Sequence, residues 1–186
     1  MSEHKHSHQD SHTCPISSAS SVFQTLDELE FERGIWYAAQ NGDLQRLKKL
    51  LNKGTSVDKR DTAGYTALHY AARAGYADIC KFLLSNGADI NAATRSGQAT
   101  ALHRAAYAGK YDIVKLLLDR DADVWLKDSD GKNVLHRAAE SQHLAICQDI
   151  IKVCPTLKKE MDKKGNVPFD YIRNRELAAA ISLKNS

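Results

Sequence analysis

Three histidines lie at matching places along the chain and are the first candidates for chemistry. His69, His103 and His136 each follow a leucine and stand two residues before a pair of alanines. Such a ladder of imidazoles is a candidate for metal binding or general-base catalysis. However, no serine, cysteine or carboxylate recurs beside it in a register that would complete a catalytic triad. Recurrence in every copy is what the stacking of repeated units requires, so we expect these histidines to be structural.

The N-terminal segment carries a second group of histidines. Alternate residues of an extended chain face the same way, so several of these imidazoles could meet one zinc or copper ion. The alternative is a solvated polar tail, which we favour because a flexible segment has no fixed partners to orient metal ligands. The weak metal-site candidates are His4, His6, His8 and His12, next to Cys14. Metal-linked sensing through this tail is the runner-up function.

Composition and charge bound the functional class. The chain has 186 residues, of which 42% are hydrophobic and 26% charged, as in one soluble globular domain with tails. A net charge of +3 gives little reason to expect nucleic acid or an anionic membrane as the partner. The apolar runs are far shorter than the roughly 20 residues of a membrane span. The polar N-terminus also lacks the apolar core of a secretory signal.

The chemical motifs point away from an enzyme. We find no glycine-rich phosphate loop, no H-E-x-x-H motif and no nucleophile elbow, and the carboxylates do not cluster. We therefore expect neither catalysis nor a cofactor. The four cysteines form no C-x-x-C pair, which favours a reducing compartment, the cytoplasm or the nucleus.

An internal repeat accounts for the spacing of the histidines. Leu68, Leu102 and Leu135 precede them and lie 34 and 33 residues apart, with the extra residue near Gln98. In each copy a second apolar stripe with helical spacing follows, which predicts a pair of helices. The copies read Thr66-Ala67-Leu68-His69-Tyr70-Ala71, Thr100-Ala101-Leu102-His103-Arg104-Ala105 and Asn133-Val134-Leu135-His136-Arg137-Ala138.

These copies resemble the ankyrin repeat family, with its 33-residue period and T-P-L-H-x-A signature. The resemblance implies an all-α solenoid of antiparallel helix pairs with hairpin-like turns, in which the histidine bridges the first helix to the neighbouring turn. Residues 1–24 form a His/Ser-rich tail that we expect to be disordered. The repeat domain, residues 25–183, comprises a start cap, three full repeats and an end cap, approximately 25–57, 58–91, 92–124, 125–158 and 159–183.

Particular residues predict how the helices begin. Thr66, Thr100 and Asn133 precede the first helices and are suited to N-capping. At the ends, Thr25-Leu26-Asp27-Glu28 matches a capping box, and Glu176-Leu177-Ala178-Ala179-Ala180-Ile181 is typical of a short closing helix.

The turn between the two helices of a repeat contains Gly75 and Gly109, but Gln142 replaces them in the third copy. If this turn needs a positive φ, glutamine is strained there by about 1 kcal/mol. We therefore expect Gln142→Gly to stabilise the protein. Cys154-Pro155 stands where Gly87-Ala88 stands earlier, so the third repeat should be the least regular.

The resemblance also implies where a partner binds. Ligands of ankyrin proteins usually contact the hairpin tips and the exposed side of the first helices. The predicted function is a protein–protein interaction module or adaptor, acting as a monomer and binding a protein partner on its concave face. Tyrosine and arginine dominate interface energetics. Carried over by position, the candidate contacts are Arg60, Tyr65, Arg73, Arg95, Gln98, Tyr107, Lys132 and Glu140.

Some of these assignments have open alternatives. Tyr107 is also compatible with packing, and Arg73 with simple solvation. Arg104 and Arg137 recur after the histidines and either pair internally or face a ligand. One modification site is also implied by the resemblance. Asn91 follows Asp89-Ile90, with Leu83 eight residues upstream, an arrangement similar to that of ankyrin substrates of an asparaginyl hydroxylase and common across the repeat family.

Overall fold

The computed structural model describes residues 30–31 and 33–174, and within them successive helix pairs stack along one axis. The all-α solenoid expected from the repeats is confirmed, with no strand in the described part of the chain. The helices are α1 (Ile35–Gln40), α2 (Leu44–Asn52), α3 (Ala67–Ala74), α4 (Ala77–Ser85), α5 (Ala101–Tyr107), α6 (Tyr111–Leu118), α7 (Val134–Glu140) and α8 (Leu144–Val153). Short 3₁₀ helices follow at Pro155–Lys159 and Pro168–Tyr171.

The first helices of the repeats form one continuous layer. Helix α1 packs on α3, α3 on α5 and α5 on α7, and the 3₁₀ helix Pro168–Tyr171 continues the row. The alanine pairs at the centre of these helices, such as Ala71-Ala72 and Ala105-Ala106, are fully buried. Small side chains let the helices approach closely, so the repeated alanines set the spacing of the stack.

The second helices close the core from the other side. In α6, Ile113, Val114 and Leu117 are buried, and the matching stripe recurs in α4 and α8. Cys80 and Cys147 occupy equivalent buried positions in these stripes, where burial raises the pKa of each thiol to about 12. Both side chains therefore stay protonated and pack as small hydrophobes.

The turn between helices has the predicted conformation. Gly75 has φ 97° and Gly109 has φ 69°, and Gln142 adopts φ 62° at the same place. The glutamine side chain, however, is part of the structure. Its Nε2 donates to the carbonyl oxygens of Ala139 at 2.9 Å and Tyr171 at 2.8 Å. Its Oε1 accepts from the backbone N–H of Arg173 at 3.0 Å, so the strain is offset by hydrogen bonds that the sequence did not reveal.

The ends of the solenoid are irregular. Helix α8 ends at Val153, and Cys154-Pro155 leads into a 3₁₀ helix instead of the turn at Gly87 in the first repeat, as the proline predicted. The polar tail, the capping box expected at Thr25 and the closing helix expected at 176–181 lie outside the described residues.

Candidate functional site

The repeated histidines connect each repeat to the next. In the second repeat, Nδ1 of His103 lies 2.9 Å from the Thr100 hydroxyl, and Nε2 lies 3.2 Å from the carbonyl oxygen of Lys132. His69 reaches the carbonyl oxygen of Ala99 at 3.0 Å in the same way. Because a carbonyl oxygen only accepts, Nε2 carries the proton and Nδ1 accepts from the hydroxyl. These imidazoles are buried and engaged on both sides, as a structural role requires.

Burial also keeps the histidines neutral. It lowers the pKa of His69 to about 4, and it lowers the pKa of His103 and His136 as well. In the described residues, no group of three or more histidines, cysteines and carboxylates is placed to hold a metal ion. The tail candidates His4, His6, His8 and His12 lie outside the described residues.

Three of the hairpin tips are organised by an aspartate with two separate tasks. One carboxylate oxygen accepts from the backbone N–H four residues later, at 2.8 to 3.0 Å, and holds the turn. The other oxygen accepts from a side chain nine residues further along, in the inner layer of helices. The aspartates are Asp61, Asp128 and Asp162, and their distant partners are Tyr70, Arg137 and Tyr171 respectively. Each tip is thus tied to its own repeat.

The second repeat breaks this pattern. Thr94 stands in place of the aspartate, and its hydroxyl accepts from the backbone N–H of Ala99 at 3.1 Å, which keeps the turn. Arg104 occupies the position of the distant partner but finds no carboxylate there. Its guanidinium lies over the ring of Tyr65, 5.2 Å from the centroid, a cation–π contact. No carboxylate among the described residues forms an ion pair with it.

Arg137, the equivalent of Arg104, is enclosed by carboxylates. Its guanidinium contacts Asp130 and Glu140 at 2.9 Å in addition to Asp128, whose side chain is fully buried. The open question about the two arginines is therefore answered differently for each. Arg137 pairs internally, and Arg104 faces the groove between the repeats.

Lys132 belongs to the same enclosed cluster, which corrects its prediction as an exposed contact. Its side chain is 6% exposed, its ammonium lies 2.8 Å from Glu140, and it stands over the ring of Tyr171 at 4.2 Å. Burial pushes the pKa of Glu140 upward, but hydrogen bonds from Lys132 and Arg137 outweigh it, so the pKa lies below its ordinary value. The side chains of this cluster are therefore charged, and their charges are paired with one another.

Four of the remaining predicted contacts, Tyr65, Arg73, Tyr107 and Glu140, border two adjoining cavities on the face formed by the tips and first helices. Arg60 and Arg95 line a separate cavity nearer the start of the solenoid. A groove of about 300 Å³ is lined by Tyr65, Arg104, Tyr107, Arg137 and Glu140, among others. A smaller cavity of about 180 Å³ adjoins it and shares Tyr65 and Arg104. We call these two cavities together the inner groove.

Exposure differs among the predicted contacts. Tyr107 is 52% exposed, and Arg73, Arg95 and Gln98 are also exposed. Arg60 is exposed too, but its guanidinium donates to the carbonyl oxygen of Ala93. Tyr65 and Glu140 are partly buried and line the inner groove.

Asn91 has a structural role in this fold. Its Oδ1 accepts from the backbone N–H of Asp123 at 2.9 Å, linking two successive repeats, and its own N–H donates to Asp89. Hydroxylation of Asn91 stays a prediction.

The sequence analysis did not predict a further cavity, which lies on the layer of second helices. It has a volume of about 360 Å³ and lies between α6 and α8, where the Tyr111 hydroxyl donates to Asp149 at 2.6 Å. Val153 lies at the rim of this cavity and is 60% exposed, which is unusual for an apolar side chain and could not be read from the sequence.

The comparisons with known proteins match the geometry. A profile of ankyrin repeats (3 copies) matches residues 35–128 and 97–164, which together exceed half of the chain. The chain is 54% identical over 78 residues to the human ankyrin repeat domain-containing protein 39, covering 42% of this chain and 43% of that protein. It is 42% identical over 60 residues to human protein phosphatase 1 regulatory subunit 27, covering 32% of this chain and 39% of that protein.

A third relative carries an enzyme name. Palmitoyltransferase akr1 of the fission yeast Schizosaccharomyces pombe is 54% identical over 108 residues, covering 58% of this chain but 17% of that protein. Each of these matches spans less than half of the relative. In the part of this chain that the structure describes, the helices are too short and too polar to cross a bilayer.

Proposed function

Because the chain belongs to the ankyrin repeat family, we propose that it is a non-catalytic adaptor that binds a protein partner on the face formed by its hairpin tips and first helices. The observation that carries the proposal is the inner groove. Its walls present Arg73, Arg104 and Tyr107, none of which is part of the buried core. These residue types contribute most to binding energy at protein interfaces.

Two further observations support the proposal. The repeated histidines, which the sequence offered as candidates for catalysis, instead form hydrogen bonds to the next repeat. In addition, one relative is named as a regulatory subunit of a protein phosphatase, a role that depends on contact with another protein. A stacked, self-supporting scaffold leaves its surface free to vary, which is how repeat proteins acquire partners.

Crosslinking with mass spectrometry from native extract tests the proposal. The protein would be compared with an inner-face variant in which Arg73, Arg95 and Tyr107 are alanine. The matched control changes Lys81, Lys115 and Gln148 on the second helices, which are also two cations and one neutral polar residue, all exposed. Tyr65 is left unchanged because it packs against His69 and Tyr70.

We expect the inner-face variant to lose its crosslinked partners while the control variant keeps them. Equal melting temperatures of the two variants would show that the loss is not an unfolding effect. Partners lost by the control variant and kept by the inner-face variant would place the interface on the second helices and contradict the proposal.

A further inference from the structure

The inner groove carries an arginine to which the described residues supply no carboxylate, and this determines what the groove can bind. We propose that the groove binds an acidic peptide segment of a partner protein, with an aspartate or glutamate side chain seated on Arg104. The inference rests on the proposed function and adds the chemistry of the partner. It starts from the replacement of the tip aspartate by Thr94 in the second repeat.

The position of Arg104 favours a ligand anion over solvent. Its guanidinium lies on the Tyr65 ring and borders both cavities of the inner groove. The contact with the ring fixes the plane of the guanidinium without neutralising its charge. An arginine held in this way can present paired N–H donors to a carboxylate with little loss of side-chain entropy. Arg73 lines the smaller cavity as well and adds a second cation.

The charge changes sign along the groove. At the far end Arg137 and Lys132 are engaged by Asp128, Asp130 and Glu140, so carboxylates outnumber cations there. A ligand with negative charge along its whole length would be attracted at one end and repelled at the other. This gradient favours a short acidic site next to uncharged or basic residues. It disfavours nucleic acid, which would also need several stacking platforms along the groove.

The neighbouring aromatic surface suits the rest of such a segment. Tyr107 is 52% exposed and lines the groove beside Arg104, so a side chain flanking the acidic residue has an aromatic surface to pack on. The expected recognition element is therefore one carboxylate with an apolar residue beside it, in a peptide that lies along the groove between Arg73 and Glu140.

Selection from a phage-displayed random peptide library on the full chain tests this inference. A parallel selection uses Thr94→Asp, which restores the carboxylate present at the other three tips and offers Arg104 an internal partner. Because Asp61, Asp128 and Asp162 all occupy this position elsewhere, the variant has good reason to fold. We expect aspartate and glutamate to be enriched among peptides selected on the unchanged protein, and this enrichment to disappear with Thr94→Asp.

The strongest selected peptide then gives a quantitative test by fluorescence anisotropy. Arg104→Gln should weaken its binding by about tenfold or more, as expected for the loss of a charge-assisted hydrogen-bond pair. Arg120→Gln removes the same charge from an exposed position after α6 and should change the affinity less than about twofold. Replacing the acidic residue of the peptide by its amide should cause a loss similar to that of Arg104→Gln, and the two losses should not add.

The outcomes separate this inference from the proposed function. Peptides that bind the inner face but show no acidic enrichment, or that bind Arg104→Gln unchanged, overturn the inference and leave the interaction module intact. The inference is also overturned if every selected peptide binds the inner-face variant as tightly as the unchanged protein. The crosslinking comparison then decides whether the interaction module also fails. Tighter, Arg104-dependent binding of a single-stranded oligonucleotide than of any peptide would replace the acidic segment by nucleic acid.

Discussion

The second and third repeats differ at one tip residue, and this difference changes what the following arginine does. In the third repeat Asp128 takes Arg137 into a cluster with Asp130 and Glu140. In the second repeat Thr94 still holds the turn but offers no charge, and Arg104 faces the groove over Tyr65. Arg104 and Arg137 thus occupy equivalent positions, but Arg137 stabilises its own repeat whereas Arg104 borders the groove.

The largest expected effect comes from breaking the enclosed pair. Arg137→Met keeps the volume of the side chain but leaves the fully buried Asp128 carboxylate without its cation. We expect the free energy of unfolding in urea to fall by about 3 kcal/mol, as for other buried pairs that lose one partner. Arg104→Met, the matched change in the second repeat, should cost less than about 1 kcal/mol because only the ring contact is lost.

A second substitution makes this difference sharper. Asp128→Asn added to Arg137→Met removes the unpaired charge while keeping an oxygen for the backbone N–H groups of Asp130 and Lys132. The double variant should recover part of the lost stability. Equal losses for the two arginine variants would mean that the enclosed cluster contributes no more than a surface contact.

Acid should weaken the whole stack through the histidine bridges that all three full repeats share, and the effect is clearest for His69 in the first repeat. The folded-state pKa of His69 is about 4, below its ordinary value of 6.5, so the unfolded chain binds a proton more readily as the pH falls. The stabilisation is complete above pH 6.5 and is lost towards pH 4. His69 alone should cost about 2 kcal/mol of unfolding free energy between pH 7.5 and pH 5. His69→Gln, measured by urea unfolding at both pH values, should show a shallower dependence. A dependence equal to that of the unchanged protein would show that this histidine titrates normally when folded.

Gln142→Gly, in the turn between α7 and α8, should have a smaller effect on stability. The structure predicts a loss, whereas the sequence alone predicted a gain. The positive φ of Gln142 alone made glycine the better residue there, and relief of this strain is worth about 1 kcal/mol. Gln142→Gly also removes the side-chain hydrogen bonds to Ala139, Tyr171 and Arg173, which together are worth about 2 kcal/mol. We therefore expect a net loss of about 1 kcal/mol, seen as a lower melting temperature by circular dichroism. A rise in the melting temperature would mean that these hydrogen bonds add little to stability.

The fold could be predicted from sequence because each repeat is specified locally. The leucine-histidine-alanine pattern defines the first helix, and glycines at a fixed spacing define the turns. Even the strained turn at Gln142 followed from its alignment with Gly75 and Gly109. Stacking then needs only copies of one unit, so no long-range contact had to be guessed.

The inner groove was less predictable because its character depends on the pairing of long side chains. Lys132 was expected on the surface, yet Glu140 and Tyr171 enclose it. The contrast between Arg104 and Arg137 depends on whether residue 94 or residue 128 carries a charge. Thr94 was visible in the sequence, but the extra residue near Gln98 shifts this tip relative to the others and obscured the comparison.

The smallest expected effect concerns the cap that the third repeat does not share with the second. In the second repeat the Thr100 hydroxyl both accepts from the backbone N–H of His103 and donates to its Nδ1. In the third repeat Asn133 presents Oδ1 to both groups of His136, and its buried Nδ2 has no partner. An amide oxygen only accepts, so it cannot serve Nδ1 in the way that a hydroxyl does.

Asn133→Thr should therefore raise the free energy of unfolding in urea by up to about 1 kcal/mol. It removes the unpartnered buried Nδ2, and its hydroxyl can donate to Nδ1 of His136 in addition to the backbone N–H of residue 133 that already does so. The cap itself is not weakened much, because threonine and asparagine are both effective at helix N-termini. Thr100→Asn is the mirror-image control and should lower the stability of the second repeat by a similar amount. If both substitutions destabilise the protein, each repeat is fitted to its own cap, and the difference between the two repeats extends from the tips to the histidine bridges.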